Sequence, residues 1–225
     1  MKTFGIIISG IGYEDGTSVW DVAYLLREIE RSSVKPIPLV PRESVERRIP
    51  GSRRKNAPTR DFLSETKLMV RGDVFYIDEF DHKELNGLII PGGKGPVKIL
   101  SSMIRDGTEA LVIPEVRDYV AGMYVRGKPL AGFGYGAALI AFILKASISS
   151  IVTIGNDAEI VELLKRAGCD VIKVQPHEVV FDDENKIFST PGTSPQTSLF
   201  RASLGIEMLV KEMANFKNIS KKRRN

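Results

Sequence analysis

The stretch PLAGFGYGAALIAFIL, residues 129–144, reads as a buried strand, a glycine-lined turn and an apolar helix. A turn of that kind stands at the carboxyl end of a strand, and in many α/β proteins its apex presents a nucleophilic Ser or Cys. Here the apex is Gly134-Tyr135-Gly136. The chain on either side repeats the pattern. FGIII (4–8) is a strand ending at Ser9-Gly10-Ile11-Gly12, and Val19, Val22, Ala23 and Leu26 carry the spacing of a first helix. PIPLV (36–40) is a second strand, and 60–70 has a helical pattern. LNGLII (85–90) is a strand stopped by Pro91-Gly92-Gly93. Val116, Tyr119, Val120, Met123 and Tyr124 form an apolar helix face behind Pro114. Beyond residue 144, IVTIG (151–155), a helix over 158–166 and CDVIKV (169–174) continue the alternation. EVVFDDENKIFST (178–190) reads as a hairpin turning at 183–185, and a last helix covers 196–213.

Strands alternating with helices predict a mostly parallel sheet covered on both faces, with a small β-hairpin. There is no internal repeat. One domain is expected over 1–215, followed by a basic tail over 216–225. The chain has 225 residues, 43% hydrophobic and 27% charged, with net charge +4. The basic residues gather in RRIPGSRRK (47–55) and KKRR (221–224), which read as a solvated loop and a frayed tail. Neither run carries aromatics, so nucleic acid is not an expected partner. The longest apolar run, 130–144, is 15 residues and holds three glycines, short of the ~20 that cross a bilayer. No membrane partner is therefore expected, and the N-terminus lacks the shape of a cleavable signal. A cytoplasmic protein is expected. With one cysteine, Cys169, and two histidines, His82 and His177, neither a disulfide, a metal site nor a cofactor is expected. Cys169 follows Arg166-Ala167-Gly168, a helix end with its capping glycine, and so opens a strand at the sheet edge away from the glycine turns. It reads as a small buried hydrophobe.

Ligands of such sheets bind beyond the carboxyl ends of the strands. Three glycine turns fall there: residues 9–12, 91–93 and 132–136. If their strands are neighbours, the turns line one cleft, where glycine lets backbone N–H groups approach a ligand.

In order along the chain, SGIGYEDGTSVWD (9–21), TRDFLSETKLMVRG (59–72), PGGKGPVKIL (91–100), GKPLAGFGYGA (127–137), TIGNDAEIVELLKRAG (153–168) and DDENKIFSTP (182–191) resemble the ElbB-type glyoxalase family. That family lies in the PfpI-like, class I glutamine-amidotransferase-like superfamily. The resemblance covers nearly the whole chain. It implies a flavodoxin-like three-layer sandwich, usually a homodimer. It also implies a site made of an elbow cysteine, an acid on the first helix and backbone N–H groups of the PGG turn. Family members are linked to chemistry on small 2-oxoaldehydes and to isoprenoid biosynthesis. Ser9, Gly10, Gly12, Asp15, Gly16, Arg60, Glu65, Arg71, Gly72, Gly92, Gly93, Gly95 and Lys98 match the family pattern. Two positions depart. Gly134 stands where the family has its cysteine, and Trp20-Asp21 replaces a His-Glu pair.

These departures imply a degenerate ElbB-like protein, leaning away from enzyme activity, that binds a small carbonyl or carboxylate without glyoxalase turnover. Its candidate ligand-binding residues are Ser9, Gly10, Gly12, Gly92, Gly93, Lys98 and Tyr135, with Asp21 the equivalent of the family acid. Asp21 fits two roles, a ligand-facing acid or a helix-start acid that joins Ser18 in an S-x-x-D cap and complements the helix dipole. Trp20 fits core or dimer packing, or stacking on a ligand. Lys98 fits anion attraction or a solvated helix face. The N–H of Tyr135 fits an oxyanion nest with that of Gly93. One alternative is an active glyoxalase or lyase that uses Tyr13, Glu14, Asp21 or Tyr135 for acid–base work. Another is a dinucleotide-binding protein, because 132–137 fits G-x-G-x-x-A with Asp157 after a later strand.

Overall fold

A computed structural model describes residues 1–44, 60–70 and 72–216. The basic run 47–55, Arg71 and the tail beyond 216 lie outside the described residues. The strands are β1 (Thr3–Ile7), β2 (Lys35–Val40), β3 (Phe75–Tyr76), β4 (Gly87–Ile90), β5 (Leu130–Phe133), β6 (Ile151–Val152), β7 (Asp170–Val171), β8 (Val180–Asp182) and β9 (Ile187–Thr190). The α-helices are α1 (Val19–Arg31), α2 (Phe62–Met69), α3 (Gly95–Lys98), α4 (Met103–Asp106), α5 (Pro114–Val125), α6 (Tyr135–Leu144), α7 (Ala158–Arg166) and α8 (Leu199–Asn215). Seven strands form one sheet in the order β3-β2-β1-β4-β5-β9-β8. Every pairing in it is parallel except the β8–β9 hairpin.

Alternation within the strands builds the three layers. Phe4, Ile6 and Ile8 of the first strand segment, Ile89 of β4, and Ala131 and Phe133 of β5 pack with Val22, Leu25 and Ile29 of α1 and Ile206, Leu209 and Val210 of α8. Their neighbours Ile7, Leu88, Ile90 and Leu130 point the other way, onto Val116 and Val120 of α5 and Ala138 and Leu139 of α6. Helices thus cover both faces of a mostly parallel sheet, and the fold is α/β and flavodoxin-like. The helix that follows Gly134 is apolar on all sides because it is enclosed: Gly136 to Phe142 are all buried.

Two sequence expectations need correction. IVTIG and CDVIKV do form strands, but β6 and β7 pair with each other in a separate two-stranded sheet. Side chains tie that sheet to the hairpin: Ile151 N–H donates to Asp182 Oδ2 at 2.9 Å and Thr153 N–H donates to Ser189 Oγ at 2.9 Å. The edge strand β3 was not expected, since two residues carry no periodic signal. Cys169 is buried, as expected, with Sγ 3.6 Å from the Ala141 carbonyl oxygen.

Candidate functional site: the cavity at the Gly134 bend

The strands β1, β4 and β5 are neighbours, so their three glycine turns leave the sheet side by side. Gly134 stands at the bend between β5 and α6 with φ +48° and ψ −115°, a conformation that strains any residue with a Cβ. It is the N-cap of the helix, and its own N–H donates to the Thr190 carbonyl at 2.9 Å. A cavity of about 530 Å³ opens beside it. Gly92, Gly93 and Tyr135 line this cavity, together with Tyr13 and Glu14 from the loop after β1. Three further segments complete the wall: 154–157 after β6, 173–176 after β7, and Pro191 with 193–197 after β9.

The first glycine turn does not reach the cavity. Ser9 is fully buried, and its hydroxyl shares a 2.9 Å hydrogen bond with that of Thr17. Gly10 packs against Glu65, Arg60 and Phe62, and Gly12 against Asp15. These residues shape the loop that carries Tyr13 and Glu14 to the wall. Lys98 is also outside the lining; its ammonium donates to the Glu14 carbonyl at 2.8 Å and so braces the same loop. Lys94 pairs with the Glu14 carboxylate at 2.8 Å.

Asp21 fills its helix-start role in part: it is the acid of the first turn of α1 and its backbone completes the Ser18 cap, but its carboxylate does something else. Ser18 does cap α1, accepting from Asp21 N–H at 3.3 Å, but the Asp21 carboxylate does not return to the Ser18 N–H, which donates to Gly92 O instead. That carboxylate is fully buried behind the cavity lining. Oδ2 accepts from Gly92 N–H at 3.0 Å and Oδ1 from Thr193 N–H at 2.8 Å. Asp21 therefore clamps the turn after β4 to the turn after β9. The clamp occupies the Gly92 N–H, one of the donors expected to face a ligand. Burial pushes the Asp21 carboxyl up to about 6, against the downward pull of Thr193 and Gly92. Trp20, next to it, is neither core nor cavity lining; it is 55% exposed and stacks on Tyr24.

Two phenols stand at the wall. Tyr135 donates to Asp157 Oδ2 at 2.6 Å, while Asp157 Oδ1 caps α7 through Glu159 and Ile160 N–H. Burial, and then this hydrogen bond, raises the Tyr135 phenol above its ordinary range. The Tyr13 hydroxyl makes no hydrogen bond among the described residues. Burial, with the charges of Glu14, Asp21 and Asp157, pushes it up to about 12. Both phenols stay protonated at any ordinary pH and act as neutral groups. Both tyrosines lie within the resembling stretches 9–21 and 127–137, but neither is among the individually matching positions. The only sequence signal for them was their place next to a glycine turn.

No family model matches the chain. A solved isoprenoid biosynthesis protein with an amidotransferase-like domain, from Ehrlichia chaffeensis, superposes with a TM-score of 0.81 at 26% identity, covering 95% of this chain and 99% of that one. A human glutamine amidotransferase-like class 1 domain-containing protein 3, mitochondrial, is 26% identical over 222 residues, 92% of this chain and 81% of its own length. The chain belongs to the class I glutamine amidotransferase-like superfamily. Drosophila melanogaster DJ-1beta shares the fold alone with this amidotransferase-like chain, at a TM-score of 0.55 and 13% identity over 95% of this chain and 90% of that one. Among the described residues no helix is long and apolar enough to cross a membrane.

Proposed function

We propose that this amidotransferase-like chain is a non-catalytic member of its superfamily that binds a small carbonyl or carboxylate compound in the cavity beside Gly134. The observation that carries the reading is the bend itself. Gly134 lines the cavity in the strained geometry where an elbow nucleophile belongs, and it has no side chain. The sole cysteine is buried elsewhere, under α6, where burial raises its thiol. With no thiolate at the bend there is no hemithioacetal and no covalent intermediate there. Acid–base chemistry by other residues also finds little support. The two phenols titrate far above neutrality, and Asp21 is spent on Gly92 and Thr193.

The purified protein is expected to convert neither methylglyoxal nor glyoxal above a buffer control; sustained lactate formation would overturn the reading. Gly134→Cys is expected to give a thiol that alkylates faster than Cys169. A Cβ at 134 would lie 2.9 Å from the Pro191 carbonyl oxygen at φ +48°, so this variant should lose about 1–3 kcal/mol of stability.

The reading also makes the protein a cytoplasmic homodimer. A buried, unpaired cysteine suits a reducing compartment. Helices α1 and α8 lie side by side, joined by Arg31–Glu207 (3.1 Å), and the Ser18 cap of α1 bonds Thr193 in the segment before α8 (2.8 Å). Trp20 stands out from the first. Phe200, at 71% exposure, Leu204 and Met208 stand out from the second at i, i+4 and i+8. Such a stripe is self-complementary about a twofold axis. Light scattering should show a dimer that Phe200→Glu converts to monomer; a monomeric wild type at micromolar concentration would sink this part of the reading.

A further inference from the structure

The surroundings of Gly134 are rich in acceptors. A Cβ built there would sit 2.9 Å from the Pro191 carbonyl oxygen and 3.8 Å from that of Ile154. Neither oxygen accepts a hydrogen bond from another described residue. The Asp157 carboxylate stands on the same wall and the Asp21 carboxylate directly behind it. The cations are poorly placed to balance them. Lys94 is held by Glu14, and Lys173 is an exposed rim residue. A carboxylate entering this corner would meet two carbonyl oxygens and the carboxyl groups of Asp157 and Asp21.

Donors are present but few, and all are neutral. Gly93 and Tyr135 line the cavity, and neither gives its backbone N–H to another described residue. The Tyr13 hydroxyl is the third donor. The Tyr135 hydroxyl donates its hydrogen bond to Asp157, which leaves its oxygen as one more acceptor. The corner therefore offers a small set of donors for one carbonyl oxygen, beside several acceptors for an O–H or N–H on the same ligand. Charge balance and hydrogen-bond matching agree on what satisfies both sets.

We propose that the cavity selects a small neutral carbonyl compound carrying an adjacent hydroxyl or amide donor, such as a carboxamide or an α-hydroxy carbonyl, over the corresponding carboxylate. This rests on the reading that the cavity holds a ligand, and it narrows that reading to one chemical class. The carbonyl oxygen accepts from Gly93, Tyr135 and Tyr13. The neighbouring donor points at Pro191 and Ile154. Asp157 is the residue that turns carboxylates away, and Tyr13 is the ligand's side-chain donor.

The test uses lactamide and lactate, which share a shape and differ in charge, titrated into the full-length protein near neutral pH and followed by saturation-transfer NMR. Lactamide is expected to bind in the millimolar range, and lactate at least roughly tenfold more weakly. Tyr13→Phe should weaken lactamide about three- to tenfold. Asp157→Asn keeps a good helix-cap side chain while removing the charge, so it should raise lactate affinity relative to lactamide at least about threefold. Lactate binding as tightly as lactamide, or an unchanged ratio in Asp157→Asn, overturns the selectivity but leaves ligand binding intact. Neither compound binding at tens of millimolar overturns both. Methylglyoxal turnover would sink the non-catalytic reading without moving the lactamide-to-lactate ratio.

Discussion

Gly136→Ala is expected to lose more than about 3 kcal/mol of stability, enough to leave most of the protein insoluble on expression. A Cβ on Gly136 would lie 1.9 Å from the Ile90 carbonyl oxygen and 2.8 Å from that of Pro91. Both are backbone atoms at the end of a central strand, so neither can swing aside as a flexible side chain would. Relief requires α6 to lift off β4, and that helix is buried on nearly every side. Gly132 is held the same way: its Cβ would lie 2.3 Å from Ala137 N. Two glycines flanking the bend thus let the first turn of the helix press onto the sheet, which sets the floor of the cavity. Circular dichroism and urea melts of any soluble fraction check the result. A Gly136→Ala protein with native-like stability would mean that the helix start is not seated against Ile90. Gly134→Ala is the useful contrast. Its Cβ meets one carbonyl oxygen at 2.9 Å, and its main penalty is φ +48°, so a loss of about 1–3 kcal/mol with retained fold is expected.

The same local physics explains what the sequence disclosed. Buried strands and capped helices leave periodic, short-range marks. FGIII, LNGLII and the Pro114 helix were legible for that reason, and so was Gly134 as a bend. The placement of side chains from separate loops leaves no such mark. Ser18-Val19-Trp20-Asp21 looks like a local cap. Only the approach of residues 92 and 193, which lie 71 and 172 positions away along the chain, turns Asp21 into a clamp. Tyr13 and Asp157 reach the cavity because β1 and β6 end on the same side of the protein, and pairing between distant strands does not show in a window of residues. The first glycine turn misled for a related reason. Ser9, Gly10 and Gly12 have the composition of a ligand loop, yet that loop is filled by Thr17, Glu65 and Asp15, so only its far end meets the cavity.

Asp21→Ala is expected to lose about 2–5 kcal/mol, because it leaves the Gly92 and Thr193 N–H groups buried without an acceptor. Asp21→Asn should lose less, since its carboxamide oxygen satisfies one N–H while its NH₂ faces the other. The pH dependence reports the burial of this carboxyl. The carboxyl is held near 6 in the folded protein, against 3.8 for a free aspartate. The folded chain therefore binds this proton more tightly than the unfolded chain does, and protonation favours folding. That contribution, roughly 3 kcal/mol, is full below the unfolded value of 3.8 and is lost as pH rises through about 6. Between about pH 5 and about pH 7.5, wild-type stability relative to Asp21→Asn should fall by about 1.4 kcal/mol, with other titrating groups cancelling in the difference. Urea midpoints of the two proteins at both pH values measure it. A flat difference would show that burial does not set the protonation of this carboxyl. If the fall is seen, the cavity wall is held by a group that is part-charged just below neutrality. Ligand affinity should then be lower in Asp21→Ala even where the protein remains folded, because Gly92, next to the cavity donor Gly93, and Thr193 lose their shared anchor.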